Sequence, residues 1–317
     1  MNNSFSLLPI EIILVIMTIV TLKMIDNHSK IKKLKSKFSS KLSTILETKR
    51  MVQKIKLEEM IQSGMHFGHF TREWNPRMAP FIYGERQGRH ILDLVQTHYF
   101  LNKSLTFIEE SAAQGKTFLF VGTKKQVAPL LAKTSLLCNS YYVNQRWLGG
   151  MLTNWRTIQK SLKKLQDYRQ AEERGDWALL KKQEVARKNR EKERLEKYLA
   201  GLENMSKLPG VVIIIGQPEE IHAVRECRQL GIPTVTLLDS NCDPTLADWF
   251  IPSNDDSVSA LRLLLDSFEQ AILHGQTLYR ERQAVQVVNL KDKRVVKRRT
   301  KSVTTTKRTP KLRNTNA

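Results

Sequence analysis

The chain has 317 residues, with 52 Lys and Arg against 31 Asp and Glu, and a formal net charge of +21. Charge of that size points to a polyanionic partner, nucleic acid or an anionic membrane surface, and the length allows one sizeable core with appendages or two domains. Three widely separated cysteines, Cys138, Cys227 and Cys242, offer neither a disulfide framework nor a zinc knuckle, as suits a reducing compartment.

Residues 7–22 are apolar but broken by Pro9 and Glu11, and the clean run 12–22 is about half of the ~20 residues a spanning helix needs. Positive charge follows this run rather than preceding it, so it matches neither a secretory signal nor an Arg-rich transit peptide. That fits a protein made inside its organelle or in a bacterium. An N-terminal extension, 1–53, is expected, with a basic Lys- and Ser-rich linker over 27–50; docking on a membrane through 12–22 and the following lysines is the alternative.

The folded part is expected to begin near Ile55. Residues 81–83 and 90–92 read as short strands around a turn, and 95–113 as a helix with Phe100, Leu101, Leu105 and Ile108 on one stripe. From residue 117 the pattern becomes α/β. Apolar strands are expected at 117–121, 141–143, 211–215, 234–238 and 249–251, with helices at 125–137, 218–230 and 256–274, which argues for a buried parallel sheet covered on both faces. Between the second and third of these strands, residues 152–205 carry two apolar seams, Ile158, Leu162, Leu165 and Leu195, Tyr198, Leu199, Leu202. With a break at Glu173-Arg174-Gly175-Asp176, they read as an antiparallel helical hairpin inserted into a body of 54–151 and 206–279. The segment 280–317 is basic and poor in large apolar residues, and reads as a disordered tail. Net charge follows this division: about +6 over 1–50, +6 over 151–207 and +11 over 280–317, against about −7 over 208–279.

The most informative run is Gln145-Arg146-Trp147-Leu148-Gly149-Gly150-Met151-Leu152-Thr153-Asn154-Trp155-Arg156. Guanidinium groups and indoles can stack on unpaired bases or fork onto phosphates, and a Gly pair lets the backbone approach a ligand. The bland alternative is core, where Trp usually lies.

Other chemistry is offered weakly. Gly115-Lys116-Thr117 precedes a strand and lacks the upstream glycine of a phosphate loop, and Gly122-Thr123-Lys124-Lys125 follows a strand without a second glycine. His66 and His69 could meet on one helical turn, but no third metal ligand follows at a suitable spacing. Asp239, Asp243, Asp248, Asp255 and Asp256 fall where carboxylates make turns or cap helices, although Mg²⁺ brought by RNA could use their oxygens. No G-x-S-x-G elbow or placed Cys/His pair is present.

Several ordered motifs together resemble the second protein of the small ribosomal subunit: Gly64-Met65-His66-Phe67-Gly68-His69, Trp74-Asn75-Pro76-Arg77-Met78, Phe120-Val121-Gly122-Thr123-Lys124, the run 145–156, Leu230-Gly231-Ile232-Pro233, Asp239-Ser240-Asn241-Cys242-Asp243-Pro244 and Ile251-Pro252-Ser253-Asn254-Asp255-Asp256. The resemblance spans roughly 54–279 and leans to the bacterial and plastid branch. It implies a flavodoxin-like doubly wound parallel sheet, no catalysis, no cofactor beyond Mg²⁺ carried by rRNA, and a place on the ribosome in the plastid stroma or, alternatively, the bacterial cytoplasm. It also implies partners: small-subunit rRNA and neighbouring ribosomal proteins, including the large mRNA-binding one that this family helps retain at the head-body junction. Where the family often has Asp after the third strand, this chain has Gly216, which puts any role of that carboxylate in doubt.

The residues expected to contact RNA are Arg72, Trp74, Arg77, Arg86, Arg146, Trp147, Asn154, Trp155, Arg156 and Lys160, above all Arg146 and Trp147; no catalytic or metal-ligating residue is expected. The rival is a nucleotide-using enzyme on a doubly wound sheet, with the acidic cluster as metal or ribose ligand.

Overall fold

The structure, a computed structural model, describes residues 55–179 and 181–305, with side chains for all of these except 178, 179 and 285–305. The apolar segment 7–22, the basic linker and residues 306–317 lie outside the described residues. In chain order the elements are α1 (Leu57–Ser63), β1 (Phe67–Phe70), β2 (Ile82–Arg86), β3 (Arg89–Leu92), α2 (Leu94–Ala113), β4 (Phe118–Val121), α3 (Ala128–Leu137), β5 (Tyr141–Val143), α4 (Trp155–Glu173), α5 (Lys182–Leu199), β6 (Val211–Ile214), α6 (Ile221–Leu230), β7 (Thr234–Leu238), β8 (Trp249–Pro252) and α7 (Val258–Thr305).

Five strands form a parallel sheet in the order β5-β4-β6-β7-β8, so the protein has an α/β fold. Each central strand is apolar on both faces because both faces are covered. Phe118 and Phe120 of β4 join Val211 and Ile213 of β6 against α2, α3 and α7 in one core, while Leu119, Val121, Val212 and Ile214 face Ala223, Val224 and Cys227 of α6 in another. The second core continues into the long connection after β5. Ile158 and Leu162 of α4 bury with Leu199 and Leu202, and ion pairs between Arg169 and Glu196 (2.9 Å), Lys164 and Glu191, and Lys192 and Glu172 tie α4 to α5.

A separate antiparallel sheet, β1-β3-β2, docks on the carboxyl end of β7. The Ser240 Oγ accepts from the His69 N–H at 2.9 Å, the Ser240 carbonyl accepts from the Asn75 N–H at 2.8 Å, and a Cβ on Gly68 would meet Ser240 Oγ at 3.0 Å. Glycine at 68 is what lets the two backbones come this close.

The structure departs from the sequence expectation in three places. Helix α1 and strand β1 were not anticipated, and a strand at 67–70 removes the shared helical turn imagined for His66 and His69, because successive strand residues point to opposite faces. Helices α3 and α6 start three residues later than expected, after turns. The last helix, expected to end at 274 before a disordered tail, continues to Thr305. Nothing between 275 and 305 breaks it: Gly275 lies where α7 crosses α2, Gln276 Nε2 donates to the Cys138 carbonyl at 2.8 Å, and the next proline is Pro310.

Candidate nucleic-acid interface

The run 145–156 leaves the carboxyl end of β5 and wraps around a single buried carboxylate. Glu226 of α6 accepts from the Trp147 indole N–H (3.0 Å), from the backbone N–H groups of Gly150 (2.7 Å), Leu152 (2.9 Å) and Thr153 (3.0 Å), and from the Thr153 hydroxyl (3.1 Å). Burial opposes the charge, but these donors outweigh it and hold the carboxyl below the usual glutamate range. Gly150 has φ +82°, a left-handed conformation that turns its N–H toward Glu226.

This arrangement divides the expected contact residues by role. Trp147 is buried: its ring fills the second core and its N–H serves Glu226. Trp155 is half-buried, packs on the same core and has its N–H enclosed. Arg146, Arg156 and Lys160 are exposed and make no ion pair among the described residues. Asn154 is exposed and accepts from the Thr157 hydroxyl at 2.8 Å. Arg156 and Lys160 are four apart on α4, and Lys163, not singled out from the sequence, extends the row three residues on. The row lies opposite the buried seam of Ile158, Leu162 and Leu165, a placement that helical periodicity could have shown.

The other expected contacts sit on or beside the small sheet. Arg72 and Arg86 are exposed, and the Arg72 Nε donates to Glu73 at 3.2 Å. Trp74 packs on His90, with ring centroids 5.1 Å apart. Arg77 is already engaged: it pairs with Asp243 and donates to Thr245 Oγ1 at 3.2 Å, bracing the turn after β7. Asp243 also accepts from the Thr245 N–H at 3.0 Å, the capping role expected of it.

Below the small sheet lies a charged cluster. His69 Nδ1 is 3.0 Å from Asp239, and the bond to that carboxylate raises the imidazole to about 9 despite its burial. Lys124 Nζ donates to Asp255 at 2.7 Å and Asp256 at 3.0 Å. Burial of Lys124 disfavours its charge, yet these carboxylates hold the ammonium above the ordinary lysine range. Asp255 is fully buried, and burial with Asp239 nearby pushes its carboxyl well up. His69, Asp239 and Asp255 bring one ligand atom each within 4.8 Å of one another, a mixed nitrogen and oxygen set able to hold a divalent cation. His69 finds its partners among distant carboxylates, not in His66.

Lys124, the lysine of this turn that faces the sheet's carboxyl end, is engaged by these acids, while Lys125 beside it is exposed. Gly216 has φ +83°, and a Cβ there would lie 3.0 Å from Glu219 Oε2, so a glycine suits this position. The three cysteines are buried and free, and burial pushes the thiols of Cys138 and Cys227 to about 12, which leaves neither as a nucleophile at neutral pH.

Residues 60–275 match the family described as ribosomal protein S2. The chain is 76% identical over 257 residues to the small ribosomal subunit protein uS2c of Chlorella vulgaris, covering 80% of this chain and 96% of that one. It is 58% identical over 230 residues to uS2c of Oltmannsiellopsis viridis (73% and 97% covered), and 51% identical over 222 residues to uS2 of Synechococcus elongatus (70% and 88% covered). With most of its folded part matched and these relatives covered nearly end to end, the chain belongs to the ribosomal protein S2 family and is of plastid type.

Proposed function

We propose that this protein is a structural constituent of the small ribosomal subunit that binds rRNA and supports translation without catalysis of its own. The observation that carries the reading is the set of exposed cations Arg146, Arg156 and Lys160, without ion-pair partners among the described residues, on a loop and helix fixed by the buried Glu226. Cations on such a support neutralise RNA phosphates and release counterions.

The finer reading is a flavodoxin-like doubly wound body, 54–151 and 206–279, from which 152–205 projects as an antiparallel helical hairpin. The ion pairs and buried seam between α4 and α5 support it. The basic segment 280–317 and the extension 1–53 are appendages to that body, the first adding phosphate contacts. Neighbouring ribosomal proteins are further partners, the large mRNA-binding one among them, and the plastid stroma is the compartment, as the uS2c relatives suggest. Mg²⁺ enters with the rRNA. The enzyme reading is not favoured, since the family and the relatives that this chain matches are ribosomal proteins.

Changing Arg146, Arg156 and Lys160 together to Ala should leave the melting temperature unchanged but weaken association with small-subunit particles. The salt dependence should become shallower by roughly one unit of slope per charge removed. Equal affinity and slope in variant and wild type would show that RNA is held elsewhere.

A further inference from the structure

The small sheet carries a face that the phosphate-binding row does not explain. Phe70 of β1 pairs with Arg89 of β3, and Arg89 pairs with Arg86 of β2. Directly opposed residues of antiparallel strands project to the same side, so the three side chains form one row across the sheet. Phe70 is 41% exposed. The Arg89 guanidinium lies 4.4 Å from its ring centroid, and that of Arg72 lies 5.4 Å away. In the next row Phe67 pairs with Ile91 and Ile91 with Gly84. Phe67 is exposed, and the absent side chain of Gly84 leaves open space beside Ile91.

The charges on this face are unfavourable for an isolated protein. The turn between β2 and β3 is the two-residue Gln87-Gly88, with φ +54° and +73°, which sets Arg86 directly opposite Arg89. Like charges in that position destabilise a hairpin. Neither arginine has an ion-pair partner among the described residues, whereas Arg72 has Glu73. Two facing cations beside an exposed ring are accounted for by a ligand that is anionic and planar together.

We propose that the face formed by Phe70, Arg72, Arg86 and Arg89 is a stacking platform for an unpaired base of an RNA strand, with Arg86 and Arg89 taking the flanking phosphates. A carboxylate ligand would satisfy the arginines but make no use of the exposed part of the ring, and a duplex keeps its base faces covered. The proposal rests on the RNA-binding reading but not on the loop 145–156, so the two fail separately.

The test uses the purified full chain and three probes of equal length: a fluorescent oligoadenylate, the same strand with abasic sites, and a blunt RNA duplex. Phe70→Ala, with an unchanged melting temperature, is expected to weaken oligoadenylate binding on the order of tenfold and leave abasic and duplex binding unaltered, and Phe70→Trp to retain it. Wild-type protein that binds the abasic strand as tightly as oligoadenylate, or a Phe70→Ala variant that keeps the preference, overturns the platform alone. Wild-type protein that binds none of the probes overturns the RNA-binding reading with it.

Discussion

Glu226 decides how the loop 145–156 is held, and it was the residue the sequence concealed. Arg146 and Trp147, adjacent in sequence, are both expected contacts. The structure separates them, with Arg146 in solvent and Trp147 in the core, because the loop turns inward to bring an indole and backbone donors to one carboxylate. A signal was present: Glu226 lies among Ala223, Val224 and Cys227 on the apolar face of its helix, where an unpaired charge would be costly. Glu226→Ala strips the partner from these donors and should destabilise the protein by about 3 kcal/mol, measured by denaturant unfolding. The pH dependence follows from the same bonds. The folded carboxyl titrates below the unfolded one, so its stabilisation is complete above the ordinary glutamate value and is lost as pH falls through the lower folded value. Stability of the wild type should therefore decline more steeply below pH ~4.5 than that of Glu226→Gln. Parallel curves would show that the carboxylate is not the anchor.

At the scale of elements, the apolar strands were legible because a strand buried on both faces reads as a continuous hydrophobic run, as Val211–Ile214 does. The expected seams at 158, 162 and 165 likewise match the buried positions of α4. Strand β1 was not legible: its burial is set by docking on Ser240, 171 residues away for the bond to His69, and no local pattern announces that. The true length of α7 was hidden for a similar reason, since Gly275 looks like a helix terminator until its neighbour across the interface is known. A Cβ there would lie 2.4 Å from the Glu109 carbonyl oxygen and 2.5 Å from Ala112 Cβ, so Gly275 permits α7 to cross α2 at close range. Gly275→Ala gains helix propensity worth about 1 kcal/mol but must push the helices apart, for a net loss of about 2 kcal/mol. An unchanged or raised melting temperature would mean that the two helices do not meet at this point.

Over the whole molecule, charge and fold divide the work. The α/β body buries two cores and carries its own acids, many of them turned inward to His69 and Lys124 or used as caps. The surplus positive charge lies on the segments 1–50, 151–207 and 280–317. The sequence made that distribution plain and the family motifs supplied the setting, whereas the partition of the cluster at 145–156 into buried support and exposed cations required three dimensions. The central claim is that this chain works as part of an RNA particle. It is tested most directly by sedimenting an organelle lysate through a sucrose gradient at moderate and at high salt with added Mg²⁺, and again after EDTA. The account predicts comigration with the small ribosomal subunit and its rRNA, lost when EDTA unfolds the particle. Sedimentation as a free monomer or small oligomer under every condition would contradict it.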